Sequence, residues 1–353
     1  MQHYHIAIFG SGVTARTLAH HLKTSSLKFI CISPHTFLGP GLCAGGSLDN
    51  WTRLHHTLGA KHAQSLWDLS QRGLSGIEKF SQQQGVPFLK SHRIRISQNS
   101  HEDEEMHVAH QLLQNRGIHS SLSTYGQHNL HMDQTQSSWI DENSFLEKLH
   151  PASSIQKESF IRVKTTDPLQ IETSHRTLTA DALVFTDHQD LIQASARFAD
   201  IVIPYTDQWH TFQGHSPWAA GTVFSSLHGA YWGVVESKAR IHFGGARFLR
   251  PWNIQKPEIL DSIQLKLQTE LEQLTGCSAS AVSSHLHMRC APQDEYPLLG
   301  HWGQAGHVFI AMGWGSWELS CGFAAGEIMS EILTTGTTHF PCQRFHPARF
   351  TSY

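Results

Sequence analysis

Charge is scarce in this chain, and no segment has the makings of a membrane span. Charged residues are 16% of the 353 residues. No apolar run approaches the roughly 20 residues that cross a bilayer. There is no basic excess either: 26 Lys and Arg face 29 Asp and Glu, a net charge of -3 with histidine neutral. Charge therefore gives no support for a nucleic-acid partner, which favours a basic face. The six cysteines (Cys31, Cys43, Cys277, Cys290, Cys321 and Cys342) are scattered. No pair has metal-ligand spacing and nothing suggests a disulfide framework, so they read as buried or free thiols. The chain opens directly on a strand-like run, so no signal peptide is expected and the expected location is the cytoplasm. Low charge does not mean disorder here. With 39% hydrophobic residues the chain is globular, and its length fits two domains or one elaborate one.

Histidine is what the chain has in excess: 28 residues, more than lysine and arginine together. The pairs His20-His21, His55-His56 and His285 with His287 lack a third ligand at metal spacing, so no metal site is expected. Most read as surface residues in place of lysine, making net charge pH-dependent near neutrality.

The first fifteen residues carry the clearest pattern. His3 to Phe9 is an apolar strand of the kind buried on both faces. Gly10-Ser11-Gly12 follows, then an apolar helix over 13–24. Gly10 allows a sharp turn. Gly12 lets a pyrophosphate approach the backbone and rest on the helix N-terminus, and Ala15 takes the close-packing position. A plain strand-to-helix turn with two glycines is the competing reading. A second strand runs over 27–33. A dinucleotide site wants an acid at its end for the ribose hydroxyls; here Ser33 stands there, and no acid follows until Asp49.

The loop Gly39-Pro40-Gly41-Leu42-Cys43-Ala44-Gly45-Gly46-Ser47 is rich enough in glycine to let backbone approach something closely, with Gly45 and Gly46 as candidates for cofactor contact. Residues 59–84 have helical spacing. Arg93 and Arg95 alternate with Ile94 and Ile96 on a half-exposed strand over 89–97. Glu102-Asp103-Glu104-Glu105 reads as the solvated start of a helix over 102–116. Residues 117–138 are polar and irregular. Strands are expected over 160–164, 169–173, 182–185, 201–205, 230–235 and 241–245, and helices over 142–150 and 256–275. A strand over 308–312, then Gly313-Trp314-Gly315-Ser316 and a long apolar helix over 317–333, end the pattern.

Several segments, taken in order, resemble the D-amino-acid-oxidase-type superfamily of FAD-dependent amine oxidoreductases, glycine oxidase and sarcosine oxidase among them. They are the N-terminal glycine turn, Trp139-Ile140-Asp141, the strand Ile201 to Tyr205 with Pro204, the block Arg289 to Gly300, the strand Gly306 to Gly313, and the closing Phe345-His346-Pro347-Ala348-Arg349-Phe350. About half the chain is covered. The Arg289 block and the Pro-Ala-Arg-Phe ending are also similar to the flavin domain of the bacterial enzyme that removes carboxymethyl from a modified wobble uridine in tRNA.

The resemblance implies an α/β fold: a Rossmann-like FAD-binding domain of glutathione-reductase type, with an inserted antiparallel-sheet substrate domain. The division expected is 1–85, 140–195 and 286–353 for the FAD-binding domain, and 86–139 with 196–285 for the substrate or cap domain. FAD is the implied cofactor, with Gly313, Gly315 and Ser316 meeting the flavin's polar edge. Arg289 would clamp a substrate carboxylate through two parallel hydrogen bonds. Asp294 would hold the loop. Tyr231 and Trp232 are candidates for the pocket wall, or plain sheet residues. Cys290 is offset from the position of a covalent flavin link, so none is expected. The family's Ala-x-Gly after the strand ending at Phe185 is replaced by Thr186-Asp187-His188. The implied activity is FAD-dependent oxidation of a C–N bond in an amino acid or secondary amine. The alternatives are flavin-dependent tRNA demodification and a degenerate, non-catalytic binding protein of this fold.

Overall fold

The computed structural model describes residues 2–36, 38–46, 49–249, 258–303 and 307–350, apart from the side chains of 133–136. Ser47 and Gly306, at the ends of two motifs above, lie outside the described residues. The fold class is α/β, as expected, with two compact units interleaved along the chain. The first is Met1–Leu38, Asn143–Pro204 and Cys290–Tyr353; the second is Gly39–Glu142 and Tyr205–Arg289. The expected division set residues 39–85 with the first unit. They fall in the second, because Leu42–Ala44 pairs with the strand His128–Ile140 and the helix Ala60–Gln84 follows it.

The first unit is built on a seven-stranded sheet. Its main order is Leu298–Trp302, Val308–Met312, Thr177–Phe185, Gln2–Phe9, Phe29–Ile32. The last four of these run parallel. Phe160–Thr166 and Leu169–Thr173 form a meander onto Thr177–Phe185. The central strand Gln2–Phe9 is apolar over Ile6–Phe9, where it is buried on both faces, and Ala7, Ile8 and Phe9 are fully buried. Helix Val13–Leu22 buries eight of its ten residues, more than an amphipathic face requires. Its neighbour is the final helix, Glu318–Thr335. Gly322 and Gly326 of that helix lie against Val13, Thr14 and Thr17: a Cβ on Gly326 would come within 2.6 Å of Thr17 Cβ.

The second unit is a nine-stranded, mostly antiparallel sheet. One face is covered by helix Asp261–Thr275, whose Ile263, Leu267 and Leu271 join Ile94, Phe212, Phe224, Tyr231 and Phe243 in one core. One expectation fails here. Residues 117–138 are not irregular: Ser120–Tyr125 and His128–Ile140 are strands. They lack apolar alternation, and pairing rather than propensity makes them strands: His128–Ile140 pairs with Phe88–Ile96, and Ser120–Tyr125 with His128–Ile140. A helix at Trp51–Leu58, capped by the Asn50 side chain on Arg53 N–H, was not legible either.

Nor is the acidic run at 102–105 simply solvated. Glu102 is buried, and its carboxylate accepts from the backbone N–H groups of His228 (3.0 Å) and Gln98 (3.1 Å). Glu105 accepts from Asn50 Nδ2 at 2.9 Å and lies 3.3 Å from His228. Among the described residues no helix is long and apolar enough to cross a membrane.

Candidate functional site

The carboxyl ends of the parallel strands bring most of the expected cofactor residues to one edge. Phe9 is level with Ile32 on one side and Phe185 on the other. Gly10, Ser33 and Thr186 therefore stand abreast, and Gly313 follows the fourth strand. That edge is where open parallel sheets bind ligands. Gly10 has φ +133°, and its N–H donates to Ile32 O at 2.9 Å. A Cβ there would collide with Thr186 Oγ1, which is itself held by donation to Phe9 O at 3.0 Å. The turn thus admits glycine alone. Gly12 is the N-cap of helix Val13–Leu22 and brings no side chain to it. Ala15 is buried beneath the turn.

The other expected residues are placed less simply. Ser33 turns inward: its hydroxyl donates to His35 O at 2.8 Å, and Ser11 donates to the same carbonyl at 2.6 Å. Ser33 therefore serves its own loop first and does not replace a ribose-binding carboxylate. Gly45 and Gly46 belong to the second unit. Their missing side chains make room for Gln71 and Trp67 of helix Ala60–Gln84, and Gly46 N–H donates to Ser70 Oγ at 2.7 Å. The close approach expected of this loop is an approach to its own helix. Gly313 has φ +86° and packs on Pro292; Gly315, at φ +55°, opens a short turn with Ser316 that leads into the final helix.

Carboxylates surround the edge. Asp187 caps the helix His188–Ala194 by accepting from Gln189 N–H at 2.8 Å. Burial, then repulsion from Asp187, pushes the Asp190 carboxyl up to about 7, against the pull of the Phe160 backbone. Burial raises the Cys290 thiol well above its ordinary value, and Asp187 and Glu318 push it further. Cys290 is therefore a thiol and no nucleophile. Asp294 holds its loop, accepting from Tyr296 N–H at 3.1 Å and from Arg349 Nε at 2.7 Å.

In the second unit the strand alternation decides which candidates share a face. Tyr231 is 1% exposed, stacked on Phe243 in the helix-covered core, and so is no pocket wall. Burial and the Glu270 carboxylate push its phenol up to about 12. Trp232, one residue on, points to the other face with Trp209, Val223 and Val234. Gly244 leaves room for both indoles: a Cβ there would lie 2.6 Å from Trp209 Cβ and 2.7 Å from Trp232 Cζ2. Arg289 joins this side, its guanidinium 5.5 Å from the Trp232 ring. It is not waiting alone for a carboxylate. Arg289 Nη1 donates to Asp207 Oδ2 at 2.8 Å, and the two side chains are only 9% and 8% exposed.

Asp207 was not among the expected site residues, and nothing local in the sequence marks it. Arg93 and Arg95 were expected on a half-exposed strand. They are 0% and 3% exposed, and Arg93 Nη1 donates to Gly45 O at 2.8 Å, tying the glycine loop to the sheet. Their signal was present: arginines at period 2 opposite isoleucines leave them a face of their own, and the unread part was that this face is also covered. Six of the 28 histidines are buried (His131, His150, His188, His210, His242 and His287). Burial, with Lys23 and Arg16, lowers His150 to about 4; burial, with His285, does the same for His210. Among the described residues no group of three or more His, Cys, Asp or Glu is placed to hold a metal ion.

The parallel sheet with its glycine turn, and the antiparallel sheet whose segments alternate with it along the chain, give the chain a fold shared with solved amino-acid and amine oxidoreductases. No protein-family model matches the chain, and no curated protein matches it in sequence. Solved structures do match. Glycine oxidase from Geobacillus kaustophilus is similar over 98% of each chain, with 14% identity and a TM-score of 0.76. L-proline dehydrogenase from P. horikoshii is similar over 99% of this chain and 98% of its own, with 13% identity and a TM-score of 0.74. Iminodiacetate oxidase from Chelativorans sp. BNC1 is similar over 97% and 98%, with 16% identity and a TM-score of 0.68. Identity this low carries the fold and not the roles of residues.

Proposed function

We propose that the protein is an FAD-dependent oxidoreductase acting on a C–N bond of an amino acid or secondary amine. The observation that carries this reading is the glycine edge. Gly10, Gly12 and Gly313 stand at the carboxyl ends of parallel strands, in a fold shared with enzymes named for glycine, proline and iminodiacetate oxidation. The residues fit the phosphate half of the cofactor. Gly12 leaves the backbone at the helix N-terminus open to close approach, and the helix dipole favours an anion there. The turn Gly313 to Ser316 and the start of the final helix would meet the polar edge of the flavin. The cofactor, once bound, supplies the hydride acceptor. The chain's share is positioning and exclusion of water. Trp232 would shape the substrate side. Arg289 would orient a substrate carboxylate from its place beside Trp232.

A second reading has its own support: a binding protein of this fold without catalysis. It rests on Ser33 serving its own loop and on the carboxylates of Asp187 and Glu318 near Cys290 at the cradle. The tRNA alternative gains nothing from the three structural neighbours, which are named for small amines. A visible spectrum divides the first two readings. Flavin absorbance that survives gel filtration after incubation with FAD supports the enzyme. A protein that stays colourless refutes it. Anaerobic bleaching by glycine, sarcosine, D-amino acids or modified tRNA then selects the substrate.

A further inference from the structure

Glu318 opens the final helix, at the end of the Gly313 turn. Its carboxylate does not point away from the cradle. A Cβ on Gly12 would lie 3.8 Å from Glu318 Oε1, and among the described residues no other atom outside its chain neighbours would come as near. Gly12 is the N-cap of helix Val13–Leu22, so this carboxylate lies against the end that carries the positive pole of the helix dipole. That is the place the glycine turn keeps clear for a phosphate. A second observation puts the same group on the same edge: Glu318 and Asp187 both act electrostatically on the buried Cys290 thiol.

We propose that the Glu318 carboxylate competes with the cofactor's pyrophosphate for the N-terminus of helix Val13–Leu22, and so sets the affinity for FAD. The inference rests on the flavin reading above. An anion at a helix N-terminus is stabilising for the protein that supplies it. A pyrophosphate entering the same space must move the carboxylate aside, and until it does, like charges repel across a few ångströms. Ser33 adds no carboxylate on the ribose side to offset this. FAD is then held loosely and exchanges, where an uncontested cradle would retain it.

The test uses the full chain and the variants Glu318→Gln and Glu318→Ala. FAD is titrated against each, followed by quenching of flavin fluorescence, and melting is recorded with and without inorganic pyrophosphate. Both variants should bind FAD about tenfold or more tightly than the natural chain. Both should melt lower than the natural chain without ligand, because the helix has lost its anion, and pyrophosphate should restore the difference. Opposite movement of the two readouts is the signature, since a simple packing defect would lower both. Equal FAD affinity in all three proteins overturns the inference and leaves the flavin reading intact. Weaker binding in the variants also overturns it, making Glu318 part of the grip. No FAD binding and no pyrophosphate effect in any of the three overturns both. If the two variants fail to fold, Glu318→Asp, with its carboxylate drawn back by one methylene, should move affinity in the same direction.

Discussion

Removing Asp207 is the sharpest perturbation of the second unit. Its carboxylate and the Arg289 guanidinium meet at 2.8 Å with more than nine-tenths of each side chain buried. Two unit charges at 4 Å attract by about 4 kcal/mol at an effective dielectric of about 20. Desolvation offsets much of that, so the intact pair contributes little net stability. The asymmetry appears when one partner goes. Asp207→Ala takes the carboxylate at 2.8 Å away from a buried guanidinium beside Trp232, which costs about 3–5 kcal/mol. Arg289→Met removes the cation as well as its methylene packing, and strands Asp207 in turn. The double replacement Asp207→Leu with Arg289→Met should fall within about 1 kcal/mol of the natural protein, so the coupling in the double-mutant cycle is large and favourable.

Urea unfolding followed by tryptophan fluorescence reads all four proteins. Asp207→Ala makes a further demand: an external carboxylate should replace the lost one. Benzoate or acetate should raise its unfolding midpoint and leave that of the natural protein unmoved. This connects stability to function, since the same opened fork would take a substrate carboxylate more readily. A cost below about 1 kcal/mol for Asp207→Ala, with no response to carboxylate, would refute the reasoning.

Two further outcomes are expected of the first unit. Asp190 holds its proton to about pH 7 in the folded chain, against an ordinary value of 3.8. Stability is therefore lost as pH rises from about 4 to 7, by up to about 4 kcal/mol. Asp190→Asn keeps an acceptor for the Phe160 backbone and removes this loss. Its stabilisation should be near zero at pH 4 and grow to a plateau above pH 7; a gain independent of pH would show that the carboxyl is not held protonated. Gly326→Ala gains about 1 kcal/mol of helix propensity. The added Cβ, however, would meet Thr17 Cβ at 2.6 Å and Thr14 O at 2.8 Å. Overpacking of about 1–3 kcal/mol should outweigh the gain, so the variant unfolds at lower urea; a stabilised variant would mean the two helices can separate freely.

Some of this protein was legible in its residues because it is local. The run from His3 to Ala15 names its own strand, turn and helix. Apolar residues without alternation require burial on both faces, and a glycine at φ +133° is needed wherever a strand turns this sharply into a helix. The strand Val308–Met312 and the helix after it were readable for the same reason: an apolar run, glycines, then an apolar run of helical length. Tyr231 and Trp232 were expected together as pocket-wall candidates; period 2 puts them on opposite faces, and it does not say which of them the helix Asp261–Thr275 covers.

What only the tertiary structure decided concerns partners far apart in the chain. The polar stretch 120–140 became two strands because Phe88–Ile96 offered an edge to His128–Ile140, which in turn offered one to Ser120–Tyr125, and no propensity within the stretch foretold that. Arg289 acquired Asp207, 82 residues away, and with it a different electrostatic character from a lone clamp. Gly45 and Gly46 were glycines for the sake of Gln71 and Trp67. The glycine turn itself was written in the first fifteen residues. That a carboxylate from the far end of the chain lies against it was not, because a sequence states which group each residue carries, and only the packing of strands and helices states what that group faces.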